Sequence, residues 1–130
     1  MLHFVINTLG RDGPKAFRGE AERNGLEWTY RIPANNKADF FEGRFREVGE
    51  GWIQVVMLAR HCPEFNGQGI PEALFAKVIR DSGMRLRSSR REDDEFGFRT
   101  EDAERVWCRV MRAGLARYDE VDDRFVYLGT

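Results

Sequence analysis

The sequence contains little cysteine and almost no net charge, and it lacks a long apolar run. Its two cysteines, Cys62 and Cys108, are too few for a disulfide framework and are typical of a reducing cytoplasm. Lys and Arg number 21 against 22 Asp and Glu, and the formal charge of -1 argues against nucleic acid or anionic lipid as a partner. No apolar run approaches the roughly 20 residues of a membrane span, and residues 1–8 lack a basic start and a cleavage site. We therefore expect a cytoplasmic protein that does not bind a membrane.

The 130 residues predict a single domain over positions 1–130. Single cores typically hold about 100–150 residues, and no internal repeat or low-complexity linker marks a boundary. With 42% hydrophobic and 12% aromatic residues, the chain has enough apolar material for a core of its own. No spacing of His, Cys, Asp and Glu resembles a metal site, so we expect no metal.

Hydrophobic periodicity predicts the element order β α β β β α β α β β, an α/β sheet with helices on both faces. Strands are expected at positions 2–8, 26–32, 40–48, 52–61, 84–88, 115–119 and 124–128. Residues 53–59 are apolar on both faces, and this predicts a covered central strand. The sequence Asp12-Gly13-Pro14 predicts the start of a first helix. Phe17 and Ala21 would form its apolar face.

Two further helices are better marked by the residues at their ends. One is expected over 71–82 and ends before Gly83, and the other follows Thr100, which can cap it. The apolar stripe of the second helix has helical spacing and consists of Ala103, Val106, Trp107, Val110 and Met111. Between the two helices, the adjacent opposite charges of 90–95 predict a solvated, mobile loop, with a docking surface as the alternative.

Segment 62–70 joins the predicted central strand to the helix over 71–82 and reads Cys-Pro-Glu-Phe-Asn-Gly-Gln-Gly-Ile. Gly67 and Gly69 allow a tight turn that gathers backbone N–H groups, and the next helix directs its positive end there. This pattern favours a phosphate or pyrophosphate site, and the alternative is an ordinary turn that uses glycine. Dinucleotide and P-loop fingerprints do not fit, because Glu72 occupies the third glycine position and the turn has no lysine.

Residues 63–70 resemble the acyl-CoA-binding motif of the GNAT acyltransferases, whose pattern is Gln/Arg-x-x-Gly-x-Gly/Ala. The family places this motif between its fourth, central strand and its third helix. A strand, a helix and a closing hairpin then follow in the family, as they are predicted to do here. The resemblance implies a mixed, largely antiparallel central sheet with helices on both faces. It also implies acetyl-CoA or another acyl-CoA as cofactor and an amine or protein as acceptor.

The resemblance further implies where the cofactor would bind. The N–H groups that would hold the pyrophosphate belong to Asn66, Gly67, Gln68, Gly69 and Ile70. The strand end around Ala59 and His61 would pair with the pantetheine arm, and the thioester would lie in a slot between this strand and 84–88. In such enzymes a base deprotonates an amine, the amine attacks the thioester, and an acid protonates the departing thiolate.

The chain departs from the family pattern at several positions. Trp107 stands where members often carry a tyrosine as general acid, and an indole does not donate a proton usefully at neutral pH. Glu64 replaces the Gln or Arg of the motif, and Thr100 is the residue nearest to an asparagine that often precedes the last helix. The resemblance therefore supports cofactor binding better than catalysis.

The sequence assigns no catalytic residue, although several side chains are candidates. His61 has an ordinary pKa of about 6.5 that suits a base, and Glu47 or Glu50 could reach an amine from the hairpin turn. A locally bonded histidine and solvated turn carboxylates are the structural alternatives. The remaining candidates, which could position water, carry an acyl group or donate a proton, are Gln54, Cys62, Tyr30, Tyr118 and Tyr127.

Two functions follow from these residues. The first is a GNAT-like N-acyltransferase that moves an acetyl or other acyl group from coenzyme A to an amine. The alternative is a catalytically inactive GNAT-like module that binds a protein and inhibits or redirects a host factor through 90–95. In size and style it resembles the small GNAT-like proteins of bacteriophages. A homodimer that pairs through the exposed final hairpin is a further alternative.

Overall fold

One curled sheet of eight strands is the main structural element of the described chain. The computed structural model describes residues 2–36, 38–60 and 63–129, without the side chains of residues 60 and 63. In this part of the chain the strands are β1 (Leu2–Gly10), β2 (Gly13–Asn24), β3 (Glu27–Pro33), β4 (Phe40–Gly49), β5 (Trp52–Arg60), β6 (Arg85–Arg87), β7 (Ala116–Asp119) and β8 (Arg124–Tyr127). The helices are α1 (Ile70–Ser82) and α2 (Glu101–Arg112), and a 3₁₀ turn covers Pro63–Phe65.

The sheet order is β1-β2-β3-β4-β5-β6-β8-β7. Its neighbours are antiparallel except for β5 and β6, which are parallel. This confirms the predicted α/β class with a mixed, largely antiparallel sheet. β5 lies between β4 and β6, so the strand predicted to be central does lie in the interior of the sheet.

The prediction of a helix after Asp12 is wrong, because this segment forms strand β2. β1 and β2 pair along their whole length, from Leu2 opposite Ala21 to Gly10 opposite Gly13. Phe17 and Ala21 are four residues apart, and a spacing of four places two residues on one face of a strand as well as of a helix. Gly19, between them, accommodates the ring of Phe4, whose Cζ would lie 2.6 Å from a Cβ at this position.

Both helices contribute to the same hydrophobic core. Phe75 of α1 stacks on Trp107 of α2 with ring centroids 4.6 Å apart. Phe75 also meets Phe45 of β4 and Tyr127 of β8 edge-on, at 6.4 and 6.0 Å between ring centroids. The predicted placement of helices on both faces is not confirmed, because the two described helices share a single core.

The ends of the two helices follow the predicted signals. Gly83 adopts a left-handed conformation after α1 and donates its N–H to the Ile79 carbonyl over 2.8 Å. Thr100 caps α2, since its Oγ1 accepts the Ala103 N–H over 3.1 Å. The stripe of α2 is buried at Val106, Trp107 and Val110, whereas Met111, which was predicted to belong to it, is exposed. Of the helices that the structure describes, neither has the length and apolarity to cross a membrane.

Candidate ligand-binding cleft

β5 and β6 separate after a short stretch of pairing. Their parallel register runs from Trp52 opposite Arg85 to Gln54 opposite Arg87, and beyond it the described part of β5 pairs only with β4. Val56 is an extra residue at this point, because Phe45 of β4 lies opposite Val55 and the preceding residue of β4 lies opposite Met57. Such a bulge bends a strand and increases its twist. The second half of β5 is therefore left without a strand on its β6 side.

A cleft lies beside the half of β5 that is separated from β6. It consists of two adjoining cavities of about 360 and 310 Å³. The cavities share Leu58 of β5 with Thr100 and Ala103 at the start of α2, and we call the whole space the β5–α2 cleft. The larger cavity is walled by Phe98 and Arg99, and the smaller one extends to Pro71 in the first turn of α1. The cleft thus connects the open edge of the central strand with the N-terminus of α1.

The glycine loop lies between β5 and α1. Gly67 and Gly69 both have left-handed backbone conformations, with φ values of 68° and 76°, and Gly69 is the N-cap of α1. The N–H groups of Gln68, Gly69 and Ile70 have no acceptor among the described residues. Unpaired N–H groups at a helix N-terminus attract anions. The loop therefore has the conformation expected of an anion site.

The turn of the β1–β2 hairpin packs against the glycine loop. The Arg11 N–H donates to the Gly67 carbonyl over 2.7 Å, and Gln68 Nε2 donates to Asp12 Oδ2 over 3.0 Å. A Cβ on Gly10 would lie 2.5 Å from the Gly67 oxygen, so glycine is needed at this contact. The bond from Gln68 and the charges of Arg11 and of the lysine at position 15 lower the pKa of the Asp12 carboxyl.

Arg11 also brings a positive charge to the glycine loop. A Cβ on Gly67 would lie 3.4 Å from the guanidinium carbon of Arg11, and Arg11 Nη2 donates to the Asn66 carbonyl over 3.4 Å. No sequence pattern predicts this proximity, because the residues are more than 50 positions apart in the chain. The contact supplies a cation of the kind that favours a phosphate.

The residues predicted to bind cofactor lie at several places around the cleft. Ala59 lines the smaller cavity. Asn66 and Gly67 are exposed, whereas Gln68 and Ile70 are buried. None of residues 66–70 lines either cavity, and the cleft reaches this loop only through Pro71. His61 and Cys62 lie outside the described residues.

The predicted carboxylate bases line neither cavity and lie at the opposite end of β5 from the glycine loop. Glu47 accepts bonds from Arg23 Nη2 and Trp28 Nε1, each over 2.9 Å, and Glu50 is exposed in the β4–β5 turn. These residues adjoin the start of β5, whereas the glycine loop follows its end. A strand of nine residues spans about 30 Å. The two glutamates therefore cannot act at the glycine-loop end of the cleft.

The tyrosines and Trp107 do not provide an acid in the cleft. Tyr30 donates to Asp81 over 2.8 Å. Burial, and to a smaller extent this bond, raise the pKa of Tyr30. Tyr118 donates to Asp123 over 2.8 Å, which raises the pKa of Tyr118. Burial raises the pKa of Tyr127 in the core. Trp107 lines the larger cavity but is fully buried, and its Nε1 has no partner among the described residues.

Residues 90–95 form a largely exposed loop, as predicted, but one carboxylate of this loop belongs to a buried polar network. Asp94 has only 2% of its side chain exposed and accepts bonds from Arg124 Nη1 over 2.9 Å and Gln54 Nε2 over 3.1 Å. Burial alone would raise the pKa of Asp94. The N–H groups of Arg90 and Phe96, the bond from Gln54 and the charge of Arg124 outweigh this effect and lower it. The prediction is wrong at Asp94, because the charge that pairs with it comes from β8, 30 residues later.

Arg99 joins the same network to the wall of the cleft. Its side chain is 1% exposed, and Nη1 donates to the Ser89 and Asp123 carbonyls over 3.0 Å each. Arg99 Nη2 donates to Asp123 Oδ1 over 2.7 Å. Burial alone would raise the pKa of Asp123. This bond and those from the Arg91 N–H and the Tyr118 hydroxyl outweigh burial and lower the pKa to about 2. The network therefore holds one side of the cleft in a fixed position.

Comparisons with protein families, with curated proteins and with solved structures find no match to this chain. No group of three or more His, Cys, Asp and Glu residues in the described ranges could hold a metal ion. The cleft and the glycine loop are therefore the features from which a function has to be argued.

Proposed function

We propose that this chain is a cytoplasmic GNAT-like protein that binds acetyl-CoA or another acyl-CoA in the β5–α2 cleft and transfers the acyl group to an amine. The observation that carries the proposal is the separation of β5 from β6 after Gln54. It leaves an apolar cleft along the central strand that leads to the first turn of α1 and the glycine loop. The separation of two strands thus supports a proposal that otherwise rests on the glycine loop.

The residues around the cleft fit the parts of such a cofactor. The N–H groups of Gln68, Gly69 and Ile70 and the guanidinium of Arg11 would hold the pyrophosphate at the positive end of α1. The free side of β5 around Ala59 would face the amide groups of the pantetheine arm. When bound, the coenzyme supplies a thioester that is open to attack by an amine.

The hydroxyl groups in the described part of the cleft are suited to positioning rather than to proton transfer. Ser88 Oγ donates to the Ser89 carbonyl, Ser89 Oγ donates to the Val55 carbonyl, and Thr100 caps α2. These hydroxyl groups are thus committed to the protein. Most of the other residues that line the cleft, such as Leu58, are apolar and would exclude water from that part of it. Arg44 and Asp102 are exposed charged residues of the lining. Acceleration would come mainly from holding the two reactants together.

A second candidate function is a binding module that does not catalyse transfer. It is favoured by the burial of Trp107 between Phe75 and Phe125, which places a packed indole at the position where the family often has its acid. In this alternative the partner would be a protein that contacts the exposed part of 90–95. Arg91 and Asp93 are exposed there even though Asp94 is buried.

Calorimetric titration with acetyl-CoA tests the first proposal. We expect saturable binding to the wild-type chain and a loss of affinity of about tenfold in Arg11→Glu, because the substitution reverses the charge beside the pyrophosphate site. Arg18→Glu is the matched control, since Arg18 is an exposed arginine of β2. Absence of binding at millimolar acetyl-CoA overturns the proposal. Binding without thiol release in the presence of a panel of amines favours the non-catalytic module.

A further inference from the structure

Arg44 is the exposed cation of the larger cavity. The described residues that line this cavity include two arginines and no acidic residue. Arg99 is buried in the network described above, whereas 41% of the Arg44 side chain is exposed. Arg44 is therefore the charged group that a ligand in this part of the cleft would meet.

A buried carboxylate holds the Arg44 guanidinium in place. Arg44 Nε donates to Glu42 Oε2 over 3.1 Å, and the other oxygen of Glu42 accepts from Arg31 Nε over 2.5 Å. The Glu42 side chain is only 4% exposed, so its two arginines have a fixed anchor. The Nη1 and Nη2 atoms of Arg44 have no partner among the described residues. A guanidinium fixed through Nε presents its remaining N–H groups for a bidentate bond to an oxyanion.

Arg44 approaches the cleft from the face of the sheet opposite to the core. Residues alternate between faces along β4, and Phe41 and Phe45 are buried in the core. Arg44 is therefore on the other face. Phe98, also in the lining of the larger cavity, is 65% exposed and adds an apolar surface. A cation and an exposed aromatic ring together suit a ligand that has a carboxylate and an apolar group.

We propose that Arg44 selects the acceptor and that the acceptor is an amino acid with an apolar side chain. The inference rests on the proposed acyl transfer, with Arg44 binding the carboxylate of the acceptor and Phe98 its side chain. The neutral amine of the amino acid would form the new C–N bond as the C–S bond of the thioester breaks. One proton passes from the nitrogen to solvent, and the departing thiolate takes up one proton.

Phenylalanine and phenylalaninamide are the probes for this inference, because they differ only in the carboxylate. Binding is measured by calorimetry in the presence of free coenzyme A, which has no acyl group to transfer. We expect the wild-type chain to prefer phenylalanine by about tenfold or more. Arg44→Gln should abolish the preference, and Arg44→Lys should restore part of it. Arg31→Gln is the matched control, because Arg31 also pairs with Glu42 but does not line the cavity.

Two results would overturn the role of Arg44. One is a wild-type chain that binds the acid and the amide equally or binds neither, and the other is an Arg31→Gln variant that loses as much preference as Arg44→Gln. Acetyl-CoA binding is measured separately. If the coenzyme fails to bind while the acid is still preferred through Arg44, the proposed function is overturned and the carboxylate site is retained. If the coenzyme binds without any acid preference, only the inference about Arg44 fails.

Discussion

Phe75 and Trp107 stack at 4.6 Å between ring centroids and join helices α1 and α2. Trp107 also stacks on Phe125 of β8 at 5.8 Å, so its indole lies between α1 and the closing hairpin. Trp107 is thus central to the packing of the core.

Trp107→Ala should destabilise the protein by about 3–5 kcal/mol, because it leaves a large cavity between two aromatic neighbours. Met111→Ala, on the exposed side of the same helix, should cost less than about 1 kcal/mol. Urea denaturation followed by tryptophan fluorescence or circular dichroism measures both. Equal losses in the two variants would show that the stack does not have the importance given to it here.

Asp94→Asn should destabilise the protein by about 1–3 kcal/mol, because the substitution removes the more buried of the two carboxylates that pair with the Arg124 guanidinium and leaves only Asp122. Asp93→Asn is the control, since Asp93 is exposed and has a left-handed conformation that asparagine tolerates. The free energy of unfolding at pH 7 is the quantity to compare. A similar small change in both variants would contradict the assignment of a buried ion pair.

Stability in acid should depend on Asp123. Its pKa is about 2 in the folded chain against an ordinary value of 3.8, so its carboxylate stabilises the fold above about pH 4. This contribution is lost as the pH falls from about 4 through 2. After allowance for solvent screening it amounts to about 1 kcal/mol. Urea midpoints at pH 7, 4, 3 and 2 should therefore fall less steeply in Asp123→Asn than in the wild type, and parallel curves would refute the prediction.

Gly10→Ala should weaken both the fold and the glycine loop. The new methyl group would lie 2.5 Å from the Gly67 oxygen, and relief of this clash requires the hairpin turn to move away from the loop. We expect a loss of about 1–3 kcal/mol in stability together with weaker binding of acetyl-CoA. Gly25→Ala serves as the comparison, because a Cβ there meets no atom within 4 Å and adds only backbone strain. Equal losses of stability and of acetyl-CoA affinity in the two variants would argue against the contact between Gly10 and Gly67.

Most of the fold could be predicted where the signal is local. Thr100 and the spacing of Val106, Trp107 and Val110 define α2 without help from the rest of the chain. β2 could not be distinguished from a helix, because Phe17 and Ala21 suit both and pairing with β1 decides between them. The secondary-structure prediction thus failed where pairing between strands outweighed a weak hydrophobic pattern.

The candidate site was predictable only in part, for a similar reason. The glycine loop is contiguous in sequence, and Ala59 follows from its position before the loop. Arg11 reaches the glycine loop from the β1–β2 turn, Arg44 reaches the cleft from β4, and Asp94 pairs with Arg124 of β8, which lies later in the chain. Charges of this kind resemble ordinary surface residues until the sheet brings them together.

The amide proton of Arg11 bonds to the Gly67 carbonyl, and it therefore reports whether the β1–β2 turn is packed against the glycine loop, which we call the docked state. Because it links the hairpin at the N-terminal end of the chain to the loop before α1, its exchange with deuterium requires at least the separation of these two segments. The exchange rate therefore measures how often the loop loses its support. A ligand that binds the loop in its docked form would slow this exchange even if it never touched Arg11.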